Sequence, residues 1–268
     1  MTTEQEKTYK FSVWLLAGMV CLLTISLVSM CMRRPKAPPQ QPPKAEKREV
    51  IARVAIVIDD MGYSQNNLEL INRIKYPLTF AILPSVGYSR AVAQELNNRG
   101  FEIILHLPME PHEKTNLENN TVLTTMSPDE IRKIVAADLD SIPYLKGISN
   151  HMGSRATEDT KTMGIIFSEL KKRRLFFLDS FVTGKSVAAF LAGKMRIKFT
   201  RRDIFLDNNA DPRYIKQQFN LLMKKARQKG QAIGIGHDRK HTLEVLNEMM
   251  PEFARQGYKF VPVSELAR

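Results

Sequence analysis

Hydrophobic positions along this chain fall into one long block followed by many short ones. The block, residues 11–32, reads FSVWLLAGMVCLLTISLVSMCM and holds no charge, slightly more than the roughly 20 residues that span hydrocarbon. Its length, and the Arg33-Arg34-Pro35 that follows it directly, predict an uncleaved transmembrane helix rather than a signal peptide with a small-residue cleavage site. From Val50 onward the pattern changes. Short apolar, β-rich runs at 54–58, 79–83, 102–105, 147–149, 175–178, 196–199, 232–235 and 259–261 alternate with longer helical patterns. Ser127-Pro128-Asp129-Glu130 predicts a helix start with a capping box, and Asp211-Pro212 predicts another.

Strands alternating with helices imply parallel pairing by right-handed crossovers, and near-continuous apolar strands imply burial on both faces. The expected fold is α/β: a deformed (β/α) barrel of about seven to eight mostly parallel strands, preceded by the transmembrane helix. The expected organisation is a tail (1–10), an anchor (11–32), a proline-rich charged linker (33–49) and a single domain (50–268). In such folds ligands gather at the carboxyl ends of the strands.

Chemistry-bearing residues collect at those ends. Asp59 and Asp60 follow the first run, His106 the third, His151 the fourth, Asp179 the fifth and His237 the seventh. A single aspartate among them reads equally well as a turn cap, and a single histidine reads better as a hydrogen-bonded core residue. Their shared placement predicts a site, because neutral imidazole and carboxylate suit Zn²⁺ or another divalent cation. Glu110 stands four residues after His106, and Asn150 and Arg155 flank His151 in a small-residue loop. His112 and His241 lack the placement and read as surface residues. No Walker or dinucleotide fingerprint follows a strand, and no Gly-x-Ser-x-Gly elbow occurs.

Charge and cysteine add little. The chain carries a net +12, which suits a surface beside a membrane or an acidic polymer, and no nucleic-acid-binding motif appears. Both cysteines lie in the apolar block, so the globular part forms no disulfide. Neither is preceded by the small residue that lipid modification needs. Lys7 and Lys10 precede the block whereas Arg33, Arg34, Lys36, Lys44, Lys47 and Arg48 follow it. Taken alone, that balance leaves the domain in the cytoplasm.

The stretches VAIVIDDMGYS, ILHLPMEP, GISNHMGSRAT, FFLDS and IGIGHDR, in this order, together resemble the divergent polysaccharide deacetylase family over about residues 52–266. The resemblance implies a deformed barrel and metal-dependent removal of acetyl groups from cell-wall or other polysaccharides, through a metal-activated water. It implies Asp59 as base, Asp60 and His106 as metal ligands, His237 as acid, and Asp179 as a supporting carboxylate. Two departures stand out. Glu110 replaces the usual second histidine of the His-x-x-x-His motif, for which His151 offers a nitrogen from another strand. The usual Arg-x-Pro-Tyr stretch is missing, with Arg155 as a partial substitute. The expectation is a membrane-anchored, extracytoplasmic (periplasmic) deacetylase that uses a divalent metal, Zn²⁺ first, on a carbohydrate or cell-wall glycan. The rival readings are a catalytically silent glycan-binding module on the same fold and another metal hydrolase such as a phosphoesterase.

Overall fold

The computed structural model describes residues 2–32 and 49–268, in two compact units, Met1–Lys47 and Arg48–Arg268. Apart from Glu49, the expected linker lies outside the described residues. In the first unit a single helix, α1 (Thr3–Met32, 30 residues), begins eight residues before the apolar block because Glu4 and Glu6 suit its first turn. At about 1.5 Å per residue it is roughly 45 Å long. Its length and composition allow it to cross a membrane.

The second unit runs β1 (Ala52–Met61), α2 (Leu68–Arg73), β2 (Thr79–Ile82), α3 (Ser89–Asn98), β3 (Glu102–Met109), α4 (Pro128–Ser141) and β4 (Leu145–Met152). It continues with α5 (Thr160–Arg173), β5 (Phe176–Asp179), α6 (Ala188–Met195), β6 (Phe199–Arg201) and β7 (Ile204–Phe205), then α7 (Pro212–Lys229), β8 (Gln231–His237), α8 (Lys240–Arg255) and β9 (Tyr258–Phe260). The helix-start signals act as expected. Ser127 and Glu130 form a reciprocal capping box at α4, and the Asp211 side chain accepts from the Arg213 N–H at α7.

The strands form one sheet in the order β6-β5-β4-β3-β2-β1-β8-β7, with β9 beside β1, and every pairing is parallel. The sheet curls into a deformed (β/α) barrel whose two edge strands, β6 and β7, are consecutive in the chain. Between them Arg202 N–H donates to Asp179 O on β5, and Asp203 N–H donates to Ile233 O on β8. The chain itself therefore bridges the gap that strand pairing leaves open.

Strand alternation sorts the core into two layers. Val54, Ile56, Ile58, Leu105 and Phe177 face the helices in the large outer core. Ala55, Val57, Ala81, Ile104, Leu178, Ile233 and Ile235 fill the smaller interior. Stepping two residues onward from interior positions leads from Val57 to Asp59, from Ile104 to His106 and from Ile235 to His237. The barrel interior is thus apolar below and polar at its carboxyl mouth.

Three features differ from the sequence expectation. The run 196–199 is displaced, because Arg196 is the left-handed C-cap of α6, with φ +59° and its N–H on Ala192 O and Gly193 O. The strand begins only at Phe199, and β7 is an additional strand too short to show as a run. His106 lies inside β3 rather than after it, since Leu107, Pro108 and Met109 go on pairing with Asn150, His151 and Met152. Proline is tolerated there because β2 ends opposite Leu105, which leaves no ladder partner on that side for a missing N–H.

One buried carboxyl outside the mouth gives a pH signature. Asp138 on α4 is 1% exposed; Oδ1 accepts from Asn120 Nδ2, and Oδ2 has no partner among the described residues. Burial raises its pKa from 3.8 to about 6, with the Asn120 hydrogen bond opposing. A carboxyl raised on folding favours the folded state below its unfolded pKa, and that advantage is lost as pH climbs through 6. Asp138→Asn is therefore expected to stabilise the chain by about 1–2 kcal/mol at pH 8 and by only about a third of that at pH 4.5. Thermal unfolding of both proteins across this range checks it; a pH-independent difference contradicts it.

Candidate metal centre

Six polar groups meet at the barrel mouth, delivered by four strands. Asp59 and His237 are register partners on β1 and β8. His106 and Ser149 are register partners on β3 and β4, and His151 lies two residues beyond Ser149 on the same face. Asp60 should point away from Asp59 under strict alternation. It does not, because Asp60 has φ +60° and the β1–β2 register shifts between Ile58 and Met61. That left-handed residue, which aspartate tolerates better than most, turns both carboxylates to one site.

Asp60 is the hub. Its Oδ1 lies 2.9 Å from His151 Nδ1 and 3.2 Å from His106 Nε2, and its Oδ2 lies 4.0 Å from His237 Nε2. One potential ligand atom from each of Asp60, His106 and His151 falls within 4.8 Å of the others. His106 Nδ1 is 2.8 Å from Ser149 Oγ, a partner that fixes the ring and leaves Nε2 aimed at the carboxylates. Burial works to raise the Asp60 carboxyl, but hydrogen bonds and charge from His106 and His151 outweigh it and hold it well below the usual carboxylate range. Burial also disfavours the His106 imidazolium, and Asp59 and Asp60 overcome this and raise its pKa. Two imidazole nitrogens and one carboxylate oxygen, with charge concentrated between them, make a donor set that fits a divalent transition metal with positions left open.

Asp59 differs from its neighbour. It is 2% exposed, Oδ2 lies 3.6 Å from His106 Nε2, and Oδ1 has no hydrogen-bond partner among the described residues. Burial pushes its pKa up, and the Asp60 charge adds to that. A buried carboxylate with one spare oxygen suits proton acceptance.

His237 is held from behind. Asp207 Oδ1 sits 2.7 Å from His237 Nδ1, while Asp207 Oδ2 accepts from the His237 N–H and from Thr242 Oγ1. Burial lowers the imidazolium's stability, but the Asp207 contact more than offsets it and raises the His237 pKa. The sequence reading missed Asp207, which follows the two-residue strand β7 by one residue; the carboxylate after Ile204-Phe205-Leu206 was its only mark.

The supporting residues sit elsewhere. Asp179 accepts from Phe181 N–H and Ser186 Oγ and makes no contact with the histidines; the interior face of β5 carries Phe176 and Leu178, so Asp179 is one residue out of phase. Glu110 Oε2 accepts from Thr124 N–H and Oγ1, and Oε1 lies 3.4 Å from Arg155 Nη1. Both residues therefore fasten loops, and neither reaches the cluster. Asn150 accepts from Ser180 N–H and donates to Met152 O, which ties the ends of β4 and β5 together. After it, Met152 and Gly153 are both left-handed. A Cβ at Gly153 would approach Met109 Cβ to 2.9 Å, so this turn requires glycine.

A model of the family described as divergent polysaccharide deacetylase matches residues 56–267. An uncharacterized protein of Escherichia coli K12, YibQ, is 37% identical over 198 residues, which cover 74% of this chain and 62% of that protein. The chain thus spans less than two thirds of that relative's length. Among solved structures, an uncharacterized protein from Agrobacterium tumefaciens C58 superposes with a TM-score of 0.77 at 25% identity, covering 84% of this chain and 92% of that one. A putative cellobiose-phosphate cleavage protein from Enterococcus faecalis V583 shares the fold, with a TM-score of 0.59 at 15% identity over 81% of this chain and 99% of that one.

Proposed function

Because the chain belongs to the divergent polysaccharide deacetylase family, we propose that it removes acetyl groups from a glycan of the cell envelope, with a divalent cation, Zn²⁺ first, held by Asp60, His106 and His151. The carrying observation is the convergence of these three side chains from β1, β3 and β4. The cation, when bound, supplies Lewis acidity and brings the pKa of water towards about 7. Asp59 takes the proton as the water oxygen bonds to the acetyl carbon. His237, its Nδ1 edge backed by Asp207, gives a proton from Nε2 to the departing sugar nitrogen or oxygen as the bond to the acetyl carbon breaks. Acetate and a free amine or hydroxyl result. Ser149 keeps His106 Nε2 directed at the centre throughout.

Helix α1 supports a second part of the reading, a membrane anchor; the family's polysaccharide substrates favour the domain on the extracytoplasmic side, where envelope glycan is found, against the charge balance around the helix.

The test uses the full chain in detergent, loaded with Zn²⁺, Co²⁺ or Mn²⁺, on oligomers of N-acetylglucosamine and on O-acetylated polysaccharide. Acetate release that disappears on chelation and returns with metal is expected. Saturable glycan binding without acetate from either substrate would overturn the enzymatic reading in favour of a silent binding module.

A further inference from the structure

We propose that Phe205 and Arg202, on the crossing that closes the barrel, are positioning residues for His237; the kinetic consequence rests on the deacetylase reading, and the geometric one does not. A hydrogen bond at Nδ1 alone leaves an imidazole free to pivot about that contact. Asp207 supplies the edge contact, and the structure assigns the face contact to Phe205. Its ring lies nearly parallel to His237, 17° between planes and 6.0 Å between centroids, within the usual range for offset stacking. Phe205 sits opposite Ile235 in the β7–β8 register, so its side chain faces the interior, one step below His237.

Arg202 in turn fixes Phe205. Its guanidinium lies over the Phe205 ring, 3.6 Å from the centroid. Its Nε donates to Ser180 O at 2.7 Å, and its Nη2 donates to Phe181 O at 2.8 Å. A planar, forked cation is needed to stack on a ring and hold two carbonyls at once, and lysine cannot do so. The result is a continuous path from the end of β5 through Arg202 and Phe205 to His237 on β8. It crosses the edge of the sheet where β6 and β7 do not pair. The seam that strand pairing leaves open is therefore also the part that sets the plane of the candidate acid.

The experiment compares Phe205→Leu, Phe205→Tyr, Arg202→Ala and Arg202→Lys in the full chain in detergent. For Phe205→Leu, which keeps apolar bulk and loses the flat face, and for both Arg202 variants, kcat is expected to fall between about 10-fold and 100-fold. KM should stay within about twofold and metal content should be unchanged. Phe205→Tyr should restore kcat, a rescue that a purely space-filling role does not predict. A readout independent of turnover is the ring C–H resonance of His237, assigned by its loss in His237→Gln: the ring-current shift from Phe205 should vanish in Phe205→Leu and persist in Phe205→Tyr. In an active wild type, either an unchanged kcat or an unmoved resonance in Phe205→Leu overturns the proposal. A wild type that releases no acetate defeats the deacetylase reading instead, and the resonance alone then decides the positioning role: loss supports it and constancy overturns it.

Discussion

Asp60→Ala is expected to remove the cation and the acetate release together. Asp60 places carboxylate oxygens 2.9, 3.2 and 4.0 Å from a ring nitrogen of His151, His106 and His237. It supplies the only carboxylate of the candidate donor set. Losing an outer partner of a metal ligand typically costs roughly 10–100-fold in affinity, and losing a ligand that also carries the neutralising charge should exceed the upper figure. His106→Ala and His151→Ala should behave alike. Asp59→Asn separates the roles, because Asp59 is proposed to take a proton rather than to bind. It should keep its metal through dialysis while kcat drops by roughly 10²–10⁴-fold. Elemental analysis of each dialysed variant, paired with acetate release, reads both quantities. If Asp60→Ala retained full metal content and full activity, the assignment of the centre would be wrong.

Much of this site was legible because a strand's period of two is rigid. Val57 and Asp59, Ile104 and His106, Ser149 and His151, and Ile235 and His237 are each two apart, so an interior apolar residue predicts an interior polar one at the mouth. The same rule places Asp179 outside the cluster, since Leu178 rather than Phe177 faces inward, but that parity shows only once the layers of the core are known. Asp60 was legible as a candidate and not as a geometry. Only the left-handed backbone at that residue brings adjacent carboxylates to one point, and no side-chain pattern encodes it. Residues 199–207, FTRRDIFLD, hid the most. Two strands of three and two residues are shorter than any periodicity can mark, and their partners are β5 and β8, next to opposite edges of the sheet. Asp207, Phe205 and Arg202 all come from this stretch. The capping box at α4 was fully readable, because its hydrogen bonds close within four residues.

Asp207→Asn, nearly isosteric, is expected to abolish most turnover while leaving the cation in place. Asp207 is fully buried and accepts three hydrogen bonds, from His237 N–H, His237 Nδ1 and Thr242 Oγ1. An asparagine has one acceptor oxygen, and it is needed by the His237 N–H and the Thr242 hydroxyl. The amide nitrogen must then face His237 Nδ1, and as a donor it requires that nitrogen to be unprotonated. His237 is thereby held neutral, with its single proton on Nε2, and the imidazolium that would protonate the leaving group becomes inaccessible. The expected loss is roughly 10²–10⁴-fold in kcat, the range for removing general acid catalysis. Metal content should match the wild type, because Asp207 touches none of the three candidate ligands. Stability should fall by about 1–3 kcal/mol for one poorly matched buried group. A thermodynamic cycle checks the cause: if Asp207 acts through the imidazole, the double variant Asp207→Asn/His237→Gln should be no slower than His237→Gln alone. Additive losses would show instead that Asp207 serves the site by a route that bypasses His237.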